Sequence, residues 1–327
     1  MIIDHDGGVD DIVAMAILGA RPDVTELIGV IVIDADCFVD PAVDVSGKVL
    51  SMMGLHHVPV GKSSLLGVHE FPKEWRKDAT NMNDLPCINT RDVLAAWEKN
   101  NRHKVTVTGE QLLADLVMSS PTPVSICVTG PLSNVAWAIT KYGDKFTSKV
   151  AEVVIMGGAV DVKGNVFLDS TDGSAEWNLY WDAPAAAIVY SCHSMRKVSF
   201  TLDSTNSVPV TSEFVQRFGL QNEYPLSQFV GSSWSMCTHF AQVYGDAMGY
   251  YAWDALTAAY VVDPVSLVEL EPLALEVVAE RDAKDEGRTK RLENPTAEAT
   301  SNSLVARNTK AKVFYDMVLA CCRFPAQ

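Results

Sequence analysis

Apolar residues recur along the chain in two alternating kinds of run. Short β-branched runs at 27–33, 124–128, 153–156 and 198–202 read as strands buried on both faces. Between them lie longer stretches of helical character, for example 111–118 and 183–190. Met1-Ile2-Ile3 reads as the end of a further buried strand, and the apolar run 12–18 as the start of a helix. Strands alternating with helices predict an α/β fold with an open, mostly parallel central sheet flanked by helices. No Pro/Ser linker, low-complexity tract or repeat interrupts residues 1–327, so a single domain is expected. The charged stretch 281–293 reads as an exposed loop near the C-terminal helix, and Gly245, Gly249, Tyr250 and Tyr251 as a mobile lid.

Polar residues change the picture most where the first strand meets the first helix. Asp4, Asp6, Asp10 and Asp11 fall within eleven residues, with Asp34 and Asp36 further on. Carboxylates so crowded repel one another unless a cation is held among them, and hard oxygen ligands point to Ca²⁺ or Mg²⁺. A strand-to-helix turn also lies at the carboxyl edge of the sheet, where open α/β sheets bind ligands. Two other readings compete: a solvated acidic loop with a capping Asp, and an Asp-x-Asp metal-dependent phosphohydrolase of the haloacid-dehalogenase type. The latter takes Thr or Val where this chain has Gly8, and does not need the Asp10-Asp11 doublet.

Asp6-Gly7-Gly8-Val9-Asp10-Asp11 resembles the signature of the nucleoside hydrolases. The resemblance continues through Asp34-Ala35-Asp36-Cys37-Phe38, Phe71-Pro72-Lys73-Glu74-Trp75-Arg76 and Thr129-Gly130-Pro131-Leu132-Ser133-Asn134. It extends over Met156-Gly157-Gly158-Ala159, Gly164-Asn165-Val166-Phe167-Leu168, Ala175-Glu176-Trp177-Asn178 and Trp253-Asp254-Ala255-Leu256-Thr257. It covers nearly the whole chain and is similar in particular to the purine-preferring branch known from trypanosomatids.

The resemblance implies a Rossmann-like nucleoside hydrolase fold that hydrolyses the N-glycosidic bond of inosine, adenosine and guanosine through an oxocarbenium-like transition state. It implies Ca²⁺ held by Asp6, Asp11, Asp254 and the main-chain carbonyl of Thr129, with Asp6 as the base that activates water. Asp10 and Asp254 would face ribose hydroxyls, together with Asn165, Glu176 and Asn178; Met156 would lie beneath the sugar and Asp36 near the nucleoside. Many relatives carry His where this chain has Trp253. An indole has no proton to give at neutral pH, so Trp75 and Trp253 would instead sandwich the purine and stabilise its protonated form. Gly8 departs from the branch, which often has Asn there. A nucleoside-binding protein without activity is the alternative of another class. The purine-preferring relatives imply a homodimer.

Other signals carry less. Gly61-Lys62-Ser63-Ser64 lacks the first glycine of a phosphate loop, since His56 stands there. The seven histidines show no metal-ligand spacing; His56-His57 reads as surface, and His239 as packing or surface rather than catalytic. With 26 basic against 41 acidic residues the net charge is −15, which disfavours nucleic acid and anionic membranes and suits a neutral nucleoside. Seven cysteines without framework spacing fit a reducing compartment, and no apolar run approaches a membrane span. No signal peptide is evident, so a cytoplasmic location is expected, although residues ahead of Met1 could hide a targeting signal.

Overall fold

The computed structural model describes residues 1–101, 105–244 and 249–324. His103 and Gly245 lie outside the described residues, as does the side chain of His239. The strands are β1 (Ile2–His5), β2 (Gly29–Val32), β3 (Val60–Lys62), β4 (Val124–Val128), β5 (Val150–Met156), β6 (Lys197–Phe200), β7 (Glu269–Pro272), β8 (Leu275–Val277), β9 (Thr289–Arg291) and β10 (Ser303–Arg307). Eight of them form one sheet in the order β3-β2-β1-β4-β5-β6-β10-β7. Every pairing in it is parallel except β10 with β7 at the edge.

Successive side chains on a strand face opposite ways. Ile3 accordingly packs with the helices Val9–Gly19, Val39–Met52 and Trp253–Val262 on one face of the sheet. Ile2 packs with Gly109–Ser119, Ser133–Tyr142 and Ala183–Ser191 on the other. All four residues of β1 are buried, as a central parallel strand requires. Among the described residues no helix is long and apolar enough to cross a membrane.

Two expectations change. The run 198–202 ends as a strand at Phe200, because Leu202 N–H bonds the Gly158 carbonyl (2.8 Å) and opens a short helix, Leu202–Thr205. The stretch 281–293 is not an exposed loop by the C-terminal helix. Its β9 pairs antiparallel with β8, which packs on the helix Ala183–Ser191. Glu286 within it is only 1% exposed, because its carboxylate accepts Asp282 N–H (3.0 Å) and meets His69 Nε2 (3.1 Å).

Strand order reverses about β1: β2 and β3 lie to one side, β4, β5 and β6 to the other. The carboxyl ends of β1 and β4 therefore flank the crevice in which open α/β sheets place ligands. Asp6 and Thr129 are the residues that follow those two strands.

Candidate active site

The chain turns sharply after β1. Gly7 takes φ +89°, open to glycine at little cost, and a Cβ there would come within 2.4 Å of the Ala42 side chain. Gly8 has an ordinary φ of −59° but little room, since a Cβ would lie 2.8 Å from Asp36 Oδ2 and 3.0 Å from Asp11 Oδ2. Asp36 thus stands close to the turn, where a side chain at position 8 would otherwise lie. Gly8 N–H donates to Asp11 Oδ2 (2.9 Å), which closes the first turn of the helix Val9–Gly19. Two carboxylates at a helix N-terminus also suit its dipole.

Three elements converge on this turn. Thr129 Oγ1 donates to Asp11 Oδ1 (2.6 Å). The main-chain N–H of Asp36 donates to Asp6 Oδ2 (3.1 Å). The N–H groups of Asp254 (2.6 Å) and Ala255 (3.3 Å) donate to Asp10 Oδ2. The helix Trp253–Val262 begins at Ala252, which has no side-chain acceptor, so Asp10 caps it from the far end of the sequence. Tyr250 OH accepts Asp10 N–H (3.2 Å), and Tyr251 bridges to Pro209, so the described part of the expected lid is tied to the acidic turn and to residue 209.

Burial dominates the electrostatics. Asp6, Asp10 and Asp11 are each at most 2% exposed and Asp254 is 8% exposed. Burial, with the charge of Asp11 next, lifts the Asp6 carboxyl well above the usual range. Burial first and the Asp11, Asp10, Asp6 and Asp36 charges after it do the same to Asp254. Asp10 and Asp11 are pushed up to about 7 by burial, although hydrogen bonds from the chain pull each back. Asp36 rises for the same reason, with Asp6 and Asp78 as the neighbouring charges. Among the described residues no three His, Cys, Asp or Glu side chains already stand closed around one point. The donor set still fits a hard cation: Asp6, Asp11 and Asp254 are buried carboxylates, and beyond burial the charge of Asp11 raises the pKa of the other two.

The second polar group lies after β5. Glu176 caps the helix Trp177–Trp181 by accepting Asn178 N–H (3.0 Å) and Leu179 N–H (3.3 Å), and it also accepts Gly158 N–H (3.1 Å). Asn178 Nδ2 donates to the Thr129 carbonyl (2.7 Å) and lies 3.3 Å from Met156 Sδ, which links the two polar groups. Asn165 Oδ1 accepts Trp177 N–H (3.0 Å).

The two tryptophans sit in separate aromatic settings. Trp75 is half-buried between the exposed Glu74 and the half-buried Arg76, and meets Trp177 edge-on at 5.5 Å and 74°. Its neighbour Arg76 pairs with Asp34, which ties this segment to the strand end beside Asp36. Trp253 meets Tyr250 edge-on at 4.9 Å and packs against Met156, Ala159 and Leu202.

Sequence reasoning missed the layer behind the turn. Asn134, fully buried, donates from Nδ2 to Asp4 Oδ1 (2.8 Å) and accepts Ser63 Oγ–H at Oδ1 (2.7 Å). The Asp4 carboxyl is pushed up to about 8 by burial, against the pull of Asn134. An amide at the start of a helix facing a strand-end Asp was the available signal.

Comparison with known proteins agrees with this geometry. A family model described as inosine-uridine preferring nucleoside hydrolase matches residues 1–316. A probable uridine nucleosidase 2 of rice (Oryza sativa subsp. japonica) is 30% identical over 58% of this chain and 53% of its own length. This chain therefore spans about half the length of that relative. An inosine-uridine preferring nucleoside hydrolase of Leishmania major is 26% identical over 85% of this chain and 83% of its own. Among solved structures, an inosine-uridine preferring nucleoside hydrolase from Bacillus anthracis superposes with a TM-score of 0.83 at 27% identity, covering 98% of both chains.

Proposed function

Because the chain belongs to the inosine-uridine preferring nucleoside hydrolase family, we propose that it hydrolyses the N-glycosidic bond of purine ribonucleosides to free base and ribose. The observation that supports the purine preference is Trp253, an aromatic side chain where many relatives carry a proton donor, packed against Met156, Ala159 and Leu202.

Asp6, Asp11, Asp254 and the Thr129 carbonyl would hold the cation, and Ca²⁺ suits their all-oxygen chemistry. When bound, the ion would orient a water and lower its pKa. Asp6 would take the proton of the attacking water. Asp10 and Asp254, locked together through the helix start, would accept hydrogen bonds from ribose hydroxyls. Glu176 and Asn178 would complete the sugar pocket, and Asn165 would lie beside them through its bond to the Trp177 N–H. Such contacts reject a sugar lacking a hydroxyl. The carboxylates would also place a negative field where the ribosyl cation develops. Trp75 and Trp253 would take the base between them and favour its protonated form.

The test is release of free base from inosine, adenosine, guanosine, uridine and cytidine, with phosphate release from a nucleotide as control. The purine set should turn over far faster. Uridine cleaved as fast as inosine would leave the hydrolase reading standing and remove the purine preference. Phosphate release without free base would favour the phosphohydrolase alternative.

A further inference from the structure

We propose that Asn206 is a positioning residue that fixes the plane of Trp253 and thereby sets how well the site activates a purine leaving group. The inference rests on the stacking role of Trp253 given above.

Trp253 Nε1 donates to Asn206 Oδ1 at 3.1 Å. Among the described residues, the other contacts of this indole are with rings and apolar side chains: Tyr250 edge-on at 4.9 Å and 67°, Tyr251 tilted at 5.6 Å and 52°, and the cluster of Met156, Ala159 and Leu202. Such contacts hold the ring by packing and by ring-to-ring geometry rather than through a directed bond to one of its atoms. A hydrogen bond along the in-plane N–H is directional and weakens steeply when bent. Among the described residues, Asn206 is therefore the directional contact that resists rotation of the indole about its own stem.

The acceptor must itself be held, and it is. Asn206 follows the helix Leu202–Thr205, and its N–H bonds back to the Leu202 carbonyl (3.2 Å). One short segment thus supplies both Leu202 against the ring and Asn206 at its N–H. A helix this short has no stability of its own. Asp203 anchors it: Oδ2 accepts Val160 N–H (2.9 Å) and Thr201 Oγ1–H (2.9 Å), while Oδ1 accepts Asp161 N–H (2.8 Å) and Arg307 Nη1–H (2.7 Å). Arg307 reaches from β10 and also holds Asp161 (2.8 Å) and Glu271 (2.9 Å). Thr309 Oγ1 donates to the Ser204 carbonyl (3.2 Å). The orientation of Trp253 is in this way referred back to the sheet.

The experiment compares inosine with p-nitrophenyl riboside, whose leaving group needs no protonation, for Asn206→Leu, Asn206→Asp and Trp253→Phe. Asn206→Leu keeps the bulk and removes the acceptor. It should lower kcat on inosine about 3- to 10-fold, the worth of one modest hydrogen bond, and leave p-nitrophenyl riboside within about twofold. Asn206→Asp keeps an acceptor and should restore the inosine rate. Asn206 is solvent-exposed, so both variants should melt with the parent. Equal losses on both substrates, or no loss on inosine, would overturn the inference. A selective inosine loss in Trp253→Phe with none in Asn206→Leu removes this inference alone. Equal losses on the two substrates in Trp253→Phe remove the stacking role and this inference together.

Discussion

Asp10→Ala isolates the capping of the helix Trp253–Val262 by a residue at the other end of the chain. The substitution removes the acceptor of two main-chain N–H groups, at 2.6 and 3.3 Å, where Ala252 offers nothing in exchange. Losing an N-cap costs about 0.5–2 kcal/mol in ordinary settings. Hydrogen bonds to a charged acceptor contribute about 1.5–3 kcal/mol each. Both donors are buried, so the combined loss should be about 2–4 kcal/mol, or a melting point lower by about 3–6 °C in a chain of 327 residues.

An opposing effect depends on pH. Burial raises the folded-state pKa of Asp10 to about 7, above its unfolded value. The folded chain therefore binds more protons between roughly pH 4 and pH 7, and an ionised Asp10 penalises the metal-free fold as pH rises through 7. Deleting the side chain should accordingly cost more at pH 5.5 than at pH 8.5. Asp10→Asn keeps an oxygen for both N–H groups and drops the charge, so at pH 8.5 without metal it should melt at or above the parent. Scanning calorimetry of the three proteins in chelator at both pH values reads this directly. An Asp10→Ala protein that melts with the parent at both, or an Asp10→Asn protein that falls as far, would refute the capping argument.

Asp6→Asn keeps the size and one oxygen of the expected base, and should cut kcat on inosine by about 10²–10⁴ with KM nearly unchanged; near-parental turnover with metal bound would mean another group takes the proton. Chelation should abolish activity and added Ca²⁺ restore it, and full turnover by protein shown metal-free by elemental analysis would remove the cation from the scheme. Trp75→Ala should lose about one to two decades on purine nucleosides, from a stacking contribution of roughly 1–3 kcal/mol, and less on p-nitrophenyl riboside in the same stopped-assay series. Gly8→Ala forces a Cβ to within 2.8 Å of Asp36 Oδ2, so it should raise KM for inosine while leaving the melting point within a few degrees; an unchanged KM would show that Asp36 moves aside freely.

The central strands were legible because parallel strands buried on both faces leave unbroken apolar runs, as at 124–128. The acidic turn stood out because like charges crowd only where something compensates them. The edge elements were not legible. β7 has two half-buried residues between exposed ends, and β9 is three residues long with two charged side chains, so neither carries an apolar signature. The same limit hid Glu286, which looks like one more charge in a charged run until its N–H and imidazole partners are seen. In the site, the Asp10-to-Asp254 contact could be guessed only by resemblance, and Asn206 had no signal. An exposed Asn after a Thr is ordinary, and its meaning comes entirely from an indole 47 residues away.

The bond from Asp254 N–H to Asp10 Oδ2 spans 244 positions of sequence. A chain growing from its N-terminus makes the repelling carboxylates first and their helical partner last. Until β10 arrives, β6 is also an open edge with its hydrogen-bonding groups unpaired. A ribosome-bound intermediate ending before residue 249 would thus carry both an uncompensated acidic turn and a sticky sheet edge. Birth order, as much as chemistry, then places a demand on this fold: a turn dense in carboxylates must wait for a helix made more than two hundred residues later.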